Sequence, residues 1–385
     1  MSKRSTILLG GTALAALLAL PATAQETGLL EEIVVTANRR AESVQDAPAA
    51  ISALTASALE EKSITAVEGI AALVPGVQIS TYQGDTSIFI RGIGTPTIIA
   101  GTDSSTATYI DGVYISRAAA IGPAFFDVDR IEVLRGPQGT LYGRNATSGA
   151  VSIITKGPTD SLEAEGRLIL GNYQRIQANG AVSGPLSEHI RARLAAQAEN
   201  HDGYAKVVRP RGTLPPTQPD ITQDVGDKDD VSVRLKLEAD LSETATLGLS
   251  ADYYHADDRS NVYYFASAGY GEEIPGWYAT REGSQTLPYF AIKNSGRVTA
   301  PKSRTLYADT PYFNKSEVWG LAGDLKWDIG EHVLAVNASY RATHPVSQNE
   351  FDLSDSFNNY VGRAEDHWQA SGDVQLSSPT GQRFS

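Results

Sequence analysis

The stretch Val231-Ser-Val-Arg-Leu-Lys-Leu-Glu-Ala-Asp-Leu241 alternates throughout, every apolar residue on one face and every polar residue on the other. A period of two is the signature of a half-buried β-strand. Its length matches the roughly 9–11 residues a tilted strand needs to cross a bilayer. The same pattern recurs on both sides. Ala245, Leu247, Leu249, Ala251 and Tyr253 oppose Thr246, Gly248, Ser250 and Asp252. Ile190, Leu194, Ala196 and Ala198 oppose Arg191, Arg193, Gln197 and Glu199, and Trp368, Ala370, Val374 and Leu376 oppose His367, Gln369, Ser371 and Asp373. With 163–170, 175–182, 318–329 and 333–341, the second half holds about eight such strands.

A soluble sandwich alternates too, so the connections decide. They are short at 184–187, 240–243, near Gly330 and at 377–381, and long at 200–229, 255–316 and 342–365. Short turns on one side and long loops on the other are the layout of an outer-membrane barrel. Tyr253, Tyr254, Trp319, Trp327, Tyr340 and Trp368 fall near strand ends, where interfacial girdles belong. The fold class expected is an α+β domain followed by antiparallel transmembrane β-barrel strands.

Composition agrees. The 385 residues carry 32 Lys and Arg against 45 Asp and Glu, a net charge of −13, which disfavours nucleic acid as a partner. The absence of cysteine excludes a disulfide scaffold, a thiolate metal site and a cysteine nucleophile. At the N-terminus, Lys3 and Arg4 precede an apolar run over 7–20 and a Pro21-Ala-Thr-Ala24 site. That is the layout of a cleaved secretory leader over 1–24, followed by a short periplasmic segment over 25–40.

Residues 41–158 do not alternate in this way. Short amphipathic helices are expected at 55–62 and 65–73, and short strands at 77–80, 87–92, 107–115 and 149–155. About 120 residues make a compact α+β globule with a radius of gyration near ~14 Å.

This region also carries a specific pattern. Ile131-Glu-Val-Leu-Arg-Gly-Pro-Gln-Gly-Thr-Leu-Tyr-Gly-Arg-Asn-Ala-Thr-Ser-Gly-Ala-Val-Ser-Ile-Ile-Thr155 closely resembles the plug-domain signature of TonB-dependent outer-membrane receptors. Leu73-Val-Pro-Gly-Val77, Phe89-Ile-Arg-Gly92 and Tyr109-Ile-Asp-Gly-Val113 match in the family's order, and Glu31-Glu-Ile-Val-Val-Thr-Ala37 is similar to its TonB box. The resemblance implies a barrel of about 22 strands enclosing the plug. It further implies import of a scarce nutrient, most often a ferric siderophore, with energy relayed by the TonB transducing protein. An oligosaccharide or vitamin-like ligand is the alternative, as is a plug-bearing surface binding protein without energy coupling.

The resemblance assigns Glu32, Ile33, Val34, Val35, Thr36 and Ala37 to pairing with the TonB partner. The β-branched run suits this, because an extended segment adds to a sheet edge through backbone hydrogen bonds. Arg91, Glu132 and Arg135 are charges in apolar or Gly-rich surroundings that need partners when buried, and the resemblance makes the arginines plug-to-barrel locks. Gly136, Gly139 and Gly143 lack the Gly-Lys-Ser/Thr of a phosphate loop and are expected to turn the chain tightly and let the plug approach the barrel wall. Ligand contacts are expected on the plug apices 94–105 and 116–123, with Thr95, Thr102, Asp103 and Arg117 as candidates, and on the Tyr-rich loop 255–316. The acids 227–230 and 257–258 are expected to be solvated loop charges.

No catalytic constellation stands out. The six histidines show no metal-ligand spacing and no G-x-S-x-G elbow occurs, so neither an enzyme, a resident cofactor nor a metal is expected. Eight strands close into a barrel whose interior side chains just fill. A globule of plug size does not fit inside, so the expectation is that the chain lacks much of the barrel and forms no heat-modifiable barrel by itself.

Overall fold

The computed structural model describes residues 34–35, 42–43, 50–95, 102–209, 221–259, 304–308, 310–350 and 360–379. The leader expected over 1–24 lies outside these, as do Glu32, Ile33, Thr36 and Ala37.

The N-terminal domain is built on a five-stranded sheet in the order β3-β8-β9-β6-β7: Ile51–Thr55, Val128–Arg135, Gly149–Thr155, Thr106–Ile110 and Val113–Tyr114. All its pairings are antiparallel except β6 with β9. A separate hairpin, β4 (Val77–Tyr82) and β5 (Asp85–Ile90), packs beside it. Helix α1 (Ala56–Glu61) starts where expected because the Thr55 hydroxyl caps the Ala58 amide. The second expected helix is a 3-10 turn over Val67–Ala72, and the single strand expected at 107–115 is a hairpin. Asp111 (φ 47°) and Gly112 (φ 82°) reverse the chain there, a conformation Asp and Gly tolerate. Ile70, Ile90, Ile131 and Ile153 fill the core.

The second half is one antiparallel wall, β10-β11-β12-β15-β16-β18-β19-β20, with β21 also on β19. Its strands are β10 (Glu163–Leu170), β11 (Ile176–Ser187), β12 (Ile190–His201), β15 (Lys228–Ser242), β16 (Ala245–Asp258), β18 (Phe313–Ile329), β19 (His332–Glu350), β20 (Tyr360–Ala364) and β21 (His367–Ser377). β20 pairs with the upper half of β19 and β21 with the lower half, so the two form one strand interrupted at Glu365 and Asp366. The wall therefore holds eight strand positions. Among the described residues it does not close on itself.

Register fixes the faces. Tyr253 opposes Trp319, which opposes Ala342, which opposes Trp368, all on the outside. Leucines 235, 249, 321 and 376 on this face are exposed, an arrangement that only lipid makes favourable. Trp319 and Trp327 lie eight residues apart on β18. That is about 27 Å along a strand, or about 20 Å of height at a ~40° tilt, close to the apolar band of an outer-membrane wall. Tyr254, expected in the girdle, instead faces inward and packs on the plug core with Val318 and Ala322. Above the band the strands continue with polar residues on both faces, as in Asn314-Lys-Ser-Glu317, and alternation no longer marks them.

The long loops carry structure of their own. β13 (Ala205–Arg209) pairs with β14 (Ile221–Val225) and, in parallel, with β17 (Thr305–Tyr307), tying two loops into a three-stranded sheet. Val207, Val225, Leu306 and Tyr312 form its core, so Tyr312 is buried rather than offered to a ligand. The tyrosines at 263, 264, 270, 278 and 289 lie outside the described residues.

Candidate functional site: the plug seated on the wall

The inward face of the wall is charged, and the plug meets it with three aspartates at chain reversals. Asp127 (φ 54°) follows the turn that ends at Phe126. It takes a two-pronged grip from Arg193 on β12, Nε at 2.8 Å and Nη2 at 2.5 Å. Arg193 also contacts Glu165 on β10, which Lys156 holds at 2.8 Å. The Arg193 and Asp127 side chains are only 5% and 6% exposed, so little solvent screening weakens the pair.

Asp111 forms the second contact. Its carboxylate accepts from the Thr155 amide at 2.8 Å and hydroxyl at 2.7 Å, and pairs with Lys236 of β15 at 3.0 Å. Burial raises the pKa of this carboxyl, but Lys236, Arg234 and the Thr155 hydrogen bonds outweigh it and hold the group below the usual carboxylate range. Next to it, Arg234 donates to the Phe126 carbonyl at 2.9 Å and lies 4.3 Å over the Phe126 ring. Arg341 and Asp252 form a two-pronged pair on the wall itself, at 2.7 and 2.8 Å. Gly320 makes room for that pair, since a Cβ there would sit 2.6 Å from Arg341 Nη2.

Asp85, at the foot of the β4–β5 turn, pairs with Arg363 of β20, which also donates to Glu365 at 2.8 Å. Burial pushes the Asp85 carboxyl up to about 6 against the pull of Arg363. A fourth contact is neutral. Gln369 of β21 accepts from the Ser116 amide at 3.0 Å and donates to the Tyr114 carbonyl at 2.6 Å, continuing the plug backbone onto the wall.

The residues expected to lock the plug are placed differently. Glu132 is fully buried but pairs with Arg130 of the same strand at 3.0 Å, inside the plug. Arg91 is exposed, and no ion pair joins Arg91 or Arg135 to an acid among the described wall residues. The contacts to this wall come from Asp85, Asp111 and Asp127 instead. Of the glycines expected to approach the wall, Gly136 (φ 114°) and Gly143 (φ 74°) serve as turns, and a Cβ at Gly139 or Gly143 would meet nothing within 4 Å. Close approach falls at Gly149, where a Cβ would lie 2.1 Å from the Leu134 carbonyl oxygen.

The acid clusters expected to be solvated are mostly tied in. Lys228 bridges Asp230 at 2.7 Å and Asp258 at 3.6 Å, both buried, while Asp227 holds Arg259 at 2.8 Å. Asp229 and Asp257 are exposed, Asp257 pairing with Lys315 at the surface.

Of the expected TonB-box residues, Val34 and Val35 form β1, which pairs antiparallel with β2 (Glu42–Ser43). Val35 is fully buried among Ala107, Tyr109, Leu134, Tyr142 and Ala150 of the plug. At the apices, Thr95 and Asp103 meet: the Thr95 hydroxyl donates to the Asp103 carbonyl at 3.2 Å and accepts the Ser105 amide at 3.0 Å. Thr102 adjoins them in sequence, whereas Arg117 lies on the other apex within electrostatic reach of Asp85. A signal for the missed aspartates was present: Arg193 and Lys236 are cations on the polar face of membrane strands, a position that demands an anion opposite.

Residues 43–150 match the family described as TonB-dependent Receptor Plug Domain. The iron-regulated outer membrane virulence protein of Vibrio cholerae is 26% identical over 379 residues, covering 90% of this chain and 54% of that protein. The vitamin B12 transporter BtuB of Vibrio vulnificus is 30% identical over 189 residues, 47% of this chain and 30% of that protein. Among solved structures, the ferric yersiniabactin uptake receptor FyuA of Yersinia pestis aligns with a TM-score of 0.66 at 18% identity, over 87% of this chain and 46% of its own. The pyoverdine receptor FpvA of Pseudomonas aeruginosa aligns at 0.62 and 16%, over 89% of this chain and 45% of its own. The solved structures share the fold: a plug domain against antiparallel barrel strands.

Residues 43–150 thus carry a TonB-dependent receptor plug domain, and the chain as a whole is similar to outer-membrane receptors of Gram-negative bacteria. It spans about half the length of the first of the relatives it matches, 54%.

Proposed function

We propose that the chain supplies the plug and part of the barrel of a receptor for energy-coupled import of a scarce nutrient, a ferric siderophore being the first reading. The observation that carries it is Val35, buried in the plug core on a two-residue strand next to the region the family pattern assigns to TonB. So short a strand is held by two pairings, which a pull along the backbone can strip without breaking the plug sheet. The organisation that goes with this reading is a leader over 1–24, a periplasmic segment with the TonB box over 25–40, a plug over 41–158 and barrel strands over 159–385. Glu32, Ile33, Val34, Val35, Thr36 and Ala37 would engage the TonB partner. Thr95, Thr102, Asp103 and Arg117 would meet ligand from the outside.

Iron is favoured by the company the chain keeps: an iron-regulated protein and receptors for iron chelates are among its relatives. The BtuB similarity supports a vitamin-like ligand as the second reading. Deleting residues 33–37 tests the energy coupling. Uptake should fall to background while surface binding of ligand stays intact; retained uptake would leave a passive pore or a binding protein. Growth of a deletion strain on ferric siderophores, cobalamin and oligosaccharides in turn separates the ligand classes.

A further inference from the structure

Each wall cation that pairs with a plug aspartate also has an acid of the wall beside it. Arg193 holds Asp127 of the plug and Glu165 of β10 at once. Arg363 holds Asp85 of the plug and, at 2.8 Å, Glu365 of the wall. Lys236 makes its ion pair with Asp111 at 3.0 Å, and a wall acid stands near it too. This is Asp324 of β18, which lies within electrostatic reach of Lys236 and Asp111. No ion pair holds it among the described residues.

Register places this acid. Lys236 opposes Ser250 of β16 and Ser250 opposes Ala322, so Asp324 stands two strands and two residues away on the same inward face. That is roughly 12 Å between the two backbones. The Asp324 carboxylate shortens the gap by leaning across β16 over Gly248, where a Cβ would lie 2.4 Å from its Oδ1. A side chain at 248 would push it aside. The Asp111-Gly112 turn of the plug sits over the same part of the wall. A Cβ on Gly112 would be 3.8 Å from Asn337 Nδ2, and Asn337 is the cross-strand neighbour of Asp324. Lys236 therefore has one acid of the plug and one of the wall within range of its flexible stem.

We infer that Asp324 receives Lys236 when the plug is drawn off the wall, so that unseating exchanges one ion pair for another. The inference rests on the proposed import, in which the plug must leave. Stripping a largely buried cation of its only anion is strongly unfavourable, whereas a swap of partners is not. Asp324 is a positioning residue, acting through Lys236 and not on the ligand.

The sign of the effect separates exchange from a structural role. A cysteine replacing Val318, which is buried against the plug core, is reached by a water-borne thiol reagent when the plug moves away. In outer membranes under mild urea, Asp324→Asn should slow that labelling about threefold, the weight of one half-exposed ion pair, because the unseated state loses its partner. An acid that merely braced the wall would, once neutralised, loosen the plug and quicken labelling. With Lys236→Met in place, Asp324→Asn should change nothing. Equal or faster labelling in Asp324→Asn overturns the exchange. So does a slowing that survives Lys236→Met, since relief of repulsion from Asp111 alone would then account for it. Uptake that persists without residues 33–37 would overturn the import reading and leave the labelling rates standing.

Discussion

Asp127 and Arg193 are the residues on which the seating of the plug turns most. Replacing Asp127 by Ala leaves a buried guanidinium with Glu165 alone, and should cost about 3 kcal/mol, the low end for breaking a buried pair. The readout is the urea concentration at which a protease cuts the plug. The double variant Asp127→Ala, Arg193→Ala should recover part of that loss, since it removes the orphaned charge as well. Asp85 gives a pH dependence of definite sign. Its carboxyl lies at about 6 when the plug is seated and at the ordinary 3.8 when free, so the seated form binds the extra proton. The stabilisation is full below the lower value and is lost as pH rises through about 6. The swing amounts to about 3 kcal/mol, 1.36 kcal/mol per unit. Plug protection against protease should therefore be stronger at pH 4.5 than at pH 7, and Asp85→Asn should flatten the difference.

At the scale of elements, the structure shows which sequence signals carry physical content. Strands β9 and β10 have the bounds expected from the sequence, β9 starting at the turn glycine Gly149 and buried on both faces, β10 exposed along nearly its whole length. The extensions of β18 and β19 above the membrane were illegible: both faces are wet there, so nothing forces the residues to alternate. The 107–115 hairpin looks like one strand in the sequence because its apolar residues run on through the turn and only Asp111-Gly112 break them. The pairing of β13 with β17 joins loops about a hundred residues apart, which no local pattern encodes. Within the candidate site, Thr95 and Asp103 come together as a sequence-near pair, whereas the partners of Arg193 and Lys236 required the fold. Gly149 offers the sharpest test at this scale. At φ 148° with the Leu134 oxygen 2.1 Å from its would-be Cβ, Gly149→Ala should part β8 from β9 and leave the plug protease-sensitive. Gly139→Ala, which meets nothing, should be silent.

For the whole molecule, one arrangement joins sequence to role. The wall turns leucine and aromatic rings outward and arginine, lysine, aspartate and amide groups inward, and the plug answers the inward charges at Asp85, Asp111, Asp127 and the backbone around Ser116. A soluble sandwich would bury the apolar face against a second sheet and leave the charges in water. Because the chain has no cysteine, single cysteines can be placed along β18 without background. In protein held in outer membranes, labels at 319, 321, 323 and 325 should collide with lipid-borne quencher. Labels at 318, 320, 322 and 324 should be shielded from it by the plug. A strict alternation between the two sets is the result predicted here; equal access of a water-borne reagent to both would contradict the account.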